Sequence, residues 1–277
     1  VYCFHMPAFF FISGFLEGEK RRSISEKKQA IVKKAKRLMV PYFFLTVVTA
    51  VLKLLFGAFA RNPLNYSTLA VDVLIGRNNP NGGLWFLYAL FVISIFGILF
   101  DGVSRTVLAS VMFVVYVLNT VVFKQFGYIV GFFFSYAWIY FAGSIARKYL
   151  YKKIKNSELL MSAKGIVVIA VVSVGYMMLA FVKIYESQSW FLATVVTIIG
   201  VFLLFTIAIQ VEHCHCGEKL WMVLGDYGMD IYMIGYYVQQ AIFVVCGKIL
   251  GFDYLVYAWM MLIFGLVAPI ILSKYIV

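Results

Sequence analysis

The chain has 277 residues, of which 64% are hydrophobic, 18% aromatic and only 13% charged, and its mean hydropathy is +0.93. A soluble domain averages about half apolar and a quarter charged residues, so the composition excludes a soluble globular protein and indicates an integral membrane one. The net charge of +12 does not point to nucleic acid. Nine of the 24 Lys and Arg lie between Glu17 and Arg37 and six between Arg147 and Lys164, in stretches that separate apolar runs, as cytoplasmic loops of membrane proteins do.

Nine apolar segments follow one another, at roughly 1–16, 38–60, 84–100, 106–123, 129–147, 165–182, 190–211, 227–249 and 254–275. Most approach the roughly 17–25 residues that carry a helix across about 30 Å of hydrocarbon. Strand-like alternation is absent, which argues against a β-barrel. The expected fold class is therefore all-α: a polytopic transmembrane helix bundle forming a single domain over 1–277.

The first segment, Tyr2-Cys3-Phe4-His5-Met6-Pro7-Ala8-Phe9-Phe10-Phe11-Ile12-Ser13-Gly14-Phe15-Leu16, places one histidine and one proline in an apolar run. Helical spacing puts His5, Phe9 and Ser13 on one face. An ionisable residue inside a membrane helix is a functional candidate by default. The run stops at the charged edge Glu17-Gly18-Glu19-Lys20-Arg21-Arg22. Beyond it, Ser25 precedes a helical pattern from Glu26 to Leu38, with Ala30, Ile31, Lys34 and Leu38 near one another. Pro41-Tyr42 is expected just inside the next helix, where proline is tolerated.

The segment 61–83 is rich in Asn, Gly and Pro, including Asn78-Asn79-Pro80-Asn81-Gly82-Gly83. Such a loop cannot lie bare in lipid. It is expected to fold over the outer mouth or to dip back as a short helix around Tyr66–Ile75. Leu84-Trp85-Phe86-Leu87 then opens the third span.

Later in the chain, Glu212-His213-Cys214-His215-Cys216 has the composition of a metal site. In an extended loop its alternating side chains point to opposite sides, and zinc sites use spaced pairs, so no metal is expected. Asp226 and Asp230 lie one turn apart near a helix N-terminus, where the helix dipole favours acids. Gln239 and Gln240 are expected to line the bundle interior, and Lys53 to reach the interface along its own stem. Cys3, Cys214, Cys216 and Cys246 show no framework spacing, so free thiols are expected.

Charge sets the orientation. With 17–37 inside, the loops 101–105, 148–164 and 212–226 are also inside and hold most of the Lys and Arg, leaving few for 61–83, 124–128, 183–189 and 250–253. The C-terminus is then cytoplasmic and Val1 outside. A further helix upstream is therefore expected, making nine spans of ten, and the chain is expected to be inactive without it.

Four of these stretches resemble the acyltransferase 3 family, membrane enzymes that O-acylate sugars, glycolipids and cell-surface polymers. Phe4-His5-Met6-Pro7 through Ser13-Gly14 is similar to that family's second helix. Lys34-Ala35-Lys36-Arg37-Leu38-Met39-Val40-Pro41-Tyr42 is similar to its Arg-x-x-Arg stretch, with lysine replacing the first arginine. Trp85-Phe86-Leu87 looks like its Trp-Phe-Leu segment. Leu224 to Gly235 resembles the start of its penultimate helix, although Gly228 and Gly235 stand where serine and histidine are usual.

The resemblance implies a multi-pass enzyme of the plasma membrane. Acetyl-CoA or another acyl-CoA would be the cytoplasmic co-substrate, and a carbohydrate or glycolipid hydroxyl the acceptor. Partners would be the bilayer and these two substrates, with no nucleic acid. Arg37, Lys34 and Lys33 would meet the CoA phosphates, since a cluster of cations at a helix end suits a 3′-phosphate and a pyrophosphate. His5 would sit in the catalytic cavity, imidazole being suited to proton transfer near neutral pH. The family's principal catalytic histidine is expected upstream of this chain. Trp85, Asn81 and Asp230 are candidates for acceptor binding, the indole face by stacking on a pyranose. The alternative is a transporter or flippase for a lipid-linked sugar, which calls for a symmetry-related pair of interrupted helices. The sequence shows no convincing pair.

Overall fold

A computed structural model describes residues 5–55, 67–76, 79–121, 129–185, 190–215 and 217–276. Every regular element among them is helical. Each of the nine apolar segments contains a helix, with ends mostly within a few residues of those expected. Four helices are long and apolar enough to cross a membrane: Ile24–Leu55, Phe191–Cys214, Gly228–Ile249 and Tyr254–Tyr275. Three shorter apolar helices cover Trp85–Leu99, Arg105–Val121 and Lys164–Met178. The count of nine crossings is not reached by length and composition alone. The chain divides into two compact units.

Unit 1 comprises 1–41, 74–77 and 85–216. It holds α1 (His5–Glu17), the first part of α2 (Ile24–Leu55), α4 (Trp85–Leu99), α5 (Arg105–Val121) and α6 (Ile129–Ile145). A π-helical turn at Ala146–Leu150, the short α7 (Tyr151–Lys155) and α8 (Glu158–Met161), and the longer α9 (Ala163–Tyr185) and α10 (Trp190–Cys214) complete it. The crossing of α1 and α6 is set by two glycines. A Cβ on Gly14 would lie 1.7 Å from the Tyr140 carbonyl oxygen, and one on Gly143 would lie 2.0 Å from that of Phe11. Only glycine permits backbones this close, the usual device where lipid supplies no hydrophobic drive between helices. The Ser144 hydroxyl donates to the Gly14 carbonyl at 2.8 Å, satisfying a polar group that would be costly in hydrocarbon.

Unit 2 comprises 42–73, 78–84 and 217–277. It holds the apolar part of α2, most of α3 (Leu69–Leu74), α11 (Glu218–Asp226), α12 (Gly228–Ile242) with a π-helical continuation to Ile249, and α13 (Tyr254–Ile276). The α12–α13 crossing again uses glycine: a Cβ on Gly235 would sit 2.8 Å from the Gly265 carbonyl oxygen.

Three expectations change. The basic arm and the second span are one helix of 32 residues, so Pro41 lies in its interior rather than its first turn. It cannot donate to the Arg37 carbonyl, and unit 1 ends at this residue. The arm begins two residues earlier than expected. Ser23 and Glu26 form a reciprocal capping box, with Ser23 N donating to Glu26 Oε2 at 2.7 Å and Glu26 N to Ser23 Oγ at 3.4 Å. Residues 212–214 are the last turn of α10, not an extended loop, and Glu212 there accepts from Lys155 Nζ at 2.6 Å. Cys214 and Cys246 are free thiols; Cys3 and Cys216 lie outside the described residues.

Candidate functional site

Two polar regions stand out from the apolar helices, one in each unit. In unit 1 the ends of α1, α2, α4 and α5 converge on a buried ionic network. The Arg22 guanidinium donates to Glu17 and to Asp101 Oδ2, the latter at 2.7 Å. Asp101 also accepts from Arg105 at 2.6 Å through its other oxygen, and Arg105 donates to the Gly97 carbonyl at 2.9 Å. Lys34 pairs with Glu17 at 3.0 Å. Burial pushes the Glu17 carboxyl up, but Lys34 and Arg22 outweigh it and hold it below the usual glutamate range. Asp101 and Arg105 are 3% and 4% exposed, so neither charge has water as an alternative partner.

Above this network the arm leaves a shallow hollow of about 510 Å³ lined by Lys20, Arg21, Arg22, Glu26, Gln29 and Lys33. Glu26 is engaged by Ser23 in the capping box and Arg22 by its two acids. Lys20, Arg21 and Lys33 therefore set the sign of the hollow, which suits an anion carrying several phosphate oxygens. Lys33 and Arg37 are exposed, and no described ion pair uses either. The three basic candidates thus separate: Lys33 faces the hollow, Lys34 is held by Glu17, and Arg37 is free on the arm.

His5 and Ser13 are half-buried and Phe9 is 41% exposed, whereas Met6, Phe10 and Gly14 are buried. The His5–Phe9–Ser13 face is therefore the less buried side of α1, although Phe9 still meets Phe86 of α4 with ring centroids 5.7 Å apart. Trp85 stacks on Phe132, with ring centroids 4.3 Å apart and 23° between planes. It also lies 5.6 Å from Tyr136. One indole face is thus covered by a neighbouring ring.

In unit 2 the polar region around Asn79–Leu84 is built, among the described residues, from uncharged side chains. The segment around Asn79–Leu84 is closed by its own amides: Asn79 Oδ1 accepts from Asn81 N, and Asn81 Oδ1 from Gly83 N, both at 2.9 Å. Asn79 Nδ2 donates to Thr46 Oγ1 at 2.7 Å, and Asn81 Nδ2 to the Tyr237 hydroxyl at 3.4 Å. The Tyr237 hydroxyl bonds Thr49 Oγ1 at 2.6 Å, and Tyr232 donates to the Gly83 carbonyl. Side chains thus satisfy the polar groups of this loop. A cleft of about 290 Å³ opens beside it.

Asn81 lines that cleft and is 2% exposed. Asp230 lies in the first turn of α12, and among the described residues no ion pair uses it. Gln239 also lines the cleft, but Gln240 is exposed. Adjacent helical residues point about 100° apart, so the two could not share one face.

Sequence reasoning missed the partners that hold these regions together. Asp101 and Arg105 are an i,i+4 pair visible in the sequence, but Arg22 reaches Asp101 across 79 residues. Tyr232 lies within the Leu224–Gly235 resemblance but was given no role, and Tyr237 carried no signal beyond being aromatic.

The family model described as an acyltransferase domain, of the acyltransferase 3 family, matches residues 1–274. No curated protein and no solved structure matches the chain.

Proposed function

The chain belongs to the acyltransferase 3 family, and from that premise we propose that it moves an acyl group, acetyl in the simplest case, from cytoplasmic acyl-CoA to a hydroxyl of an extracytoplasmic sugar, glycolipid or polysaccharide. As a family member with several membrane-length helices it is a multi-pass membrane acyltransferase. Donor, acceptor and direction are our reading.

The basic hollow on the arm is the observation that carries it. Lys20, Arg21 and Lys33 line it, with Arg37 exposed one turn beyond Lys33. A CoA donor carries its charge in phosphates at one end and its thioester at the end of a neutral arm. Cations on an interfacial helix hold the phosphates while the neutral arm enters apolar surroundings at low desolvation cost. His5, on the half-buried face of α1, lies near the reacting carbonyl and assists proton transfer as the acceptor hydroxyl loses its proton and its oxygen attacks the thioester carbonyl. The thiolate leaves and is protonated in turn, so that ester and free CoA result. Lys34 steadies the arm through Glu17. Trp85, Asn81 and Asp230 belong to the acceptor side.

The test is steady-state kinetics of the full-length protein in lipid nanodiscs. Arg37→Ala and Lys33→Ala should each raise KM for acetyl-CoA about tenfold, the value of one charge-assisted hydrogen bond. His5→Ala should lower kcat about a hundredfold with KM nearly unchanged. An unchanged KM in both cation variants would remove the hollow from donor binding.

A further inference from the structure

We propose that the cleft beside the Asn79–Leu84 loop of unit 2 binds one neutral, hydroxylated ring of hexose size and excludes charged sugars. The proposal deepens the acyl-transfer reading and rests on it only for what happens to the bound ring.

The cleft is lined by Leu84 of the loop, Tyr232, Tyr236 and Gln239 of α12, and Leu262 of α13. Among the described residues no Lys, Arg, Asp, Glu or His lines it. Its floor exists because Gly235 and Gly265 bring α12 and α13 together. A Cβ on Gly265 would lie 2.8 Å from the Gln239 amide nitrogen, so the glycine leaves room for that carboxamide. The loop side chains are used up: Asn81 bonds Gly83 N and Tyr237, and Tyr232 bonds the Gly83 carbonyl. Gln239 and Tyr236 differ from them. Among the described residues, neither the Gln239 carboxamide nor the Tyr236 hydroxyl has a hydrogen-bond partner in the protein, although both line the cleft.

Polar groups in a largely apolar cleft call for partners. A carboxamide offers a donor and an acceptor side by side, which is the pattern of two neighbouring ring hydroxyls. Tyr236 adds a third donor or acceptor, and the Tyr232 ring and Leu84 supply apolar surface for the C–H face of a ring. At about 290 Å³ the cleft is at the lower edge of the roughly 300–1,000 Å³ that hold drug-sized ligands. It takes one ring and not the nucleotide of CoA. A carboxylate or phosphate brought there would find no cation among the described residues, and an unpaired buried charge is strongly disfavoured. Neutrality of the lining is thus a specificity device: a hexose or its N-acyl derivative enters, and a uronic acid or sugar phosphate does not.

The experiment uses the full-length protein in phosphatidylcholine nanodiscs and a diazirine-bearing alkyl β-glucoside, with adducts mapped by mass spectrometry. Adducts are expected on the peptides around Tyr232–Gln239 and Leu262–Leu266. Unlabelled octyl glucoside should compete, and octyl glucuronide and laurate should not. Gln239→Leu should reduce adducts about tenfold and Tyr236→Phe about fivefold, one hydrogen bond each. Should Gln239→Leu fail to insert, Tyr236→Phe, which keeps the ring, carries the test. Equal labelling in both variants overturns the proposal. So does competition by laurate, which would make the cleft a chain site, or by the glucuronide, which would remove the charge filter. Acetyl transfer from acetyl-CoA is followed in parallel. Adducts without transfer would sink the acyl-transfer reading and keep the cleft; transfer without adducts would do the reverse.

Discussion

Arg22 closes the charged end of unit 1 by binding Glu17 and Asp101 at once, while Arg105 holds the other Asp101 oxygen. Removing one member of a buried ion network leaves the others charged and unpaired, at a cost of about 3–5 kcal/mol. Asp101→Ala should therefore sharply lower the thermal stability of the detergent-solubilised protein, and a melting curve matching wild type would refute the network's structural role. Glu17 gives the network a pH dependence. Its folded pKa is depressed, so its stabilisation is present above the ordinary glutamate pKa of about 4.3. It is lost as pH falls through the lower folded value. Glu17→Gln should lower stability at pH 7 and flatten the acid limb; an unchanged slope below pH 5 would contradict the assignment. Little of this was legible in the sequence. The Glu17–Arg22 edge reads as the end of a span, and nothing local says that Asp101 completes it. The Ser23–Glu26 capping box, in contrast, was written in four consecutive residues.

Among elements, the α1–α6 crossing makes the clearest demand on sequence. Gly14→Ala or Gly143→Ala would push a methyl into a carbonyl of the other helix and should separate the pair, read as loss of folded protein by size-exclusion chromatography. Gly175 in α9 is the control, because nothing lies within 4 Å of its would-be Cβ. Gly175→Ala should be neutral or stabilise by up to about 1 kcal/mol from helix propensity. Equal behaviour of all three variants would show that the crossing is not glycine-limited. Helix positions were readable because charge, Gly and Pro mark the ends of apolar runs. What those marks concealed was continuity. The helical arm and the apolar run after it both appear in the sequence, and Pro41 between them reads as a boundary. The structure continues the helix past it, because a span already committed by its apolar length tolerates one missing hydrogen bond.

At the scale of the whole molecule, a basic hollow belongs to one unit and a cleft with no charged lining among the described residues to the other; the proposed donor and acceptor roles fall to them in that order. The sequence showed the first as a run of Lys and Arg. It showed the second only as an Asn- and Gly-rich loop, since that loop is held by Thr46, Thr49 and Tyr237, which are distant in the chain. The most direct measurement supplies radiolabelled acetyl-CoA to native membranes containing the full-length protein and follows label into envelope polysaccharide and glycolipid. The account predicts label that depends on the acyl thioester and falls in Arg37→Ala and His5→Ala. Absence of label under any acyl-CoA, with the protein folded in the membrane, would contradict it.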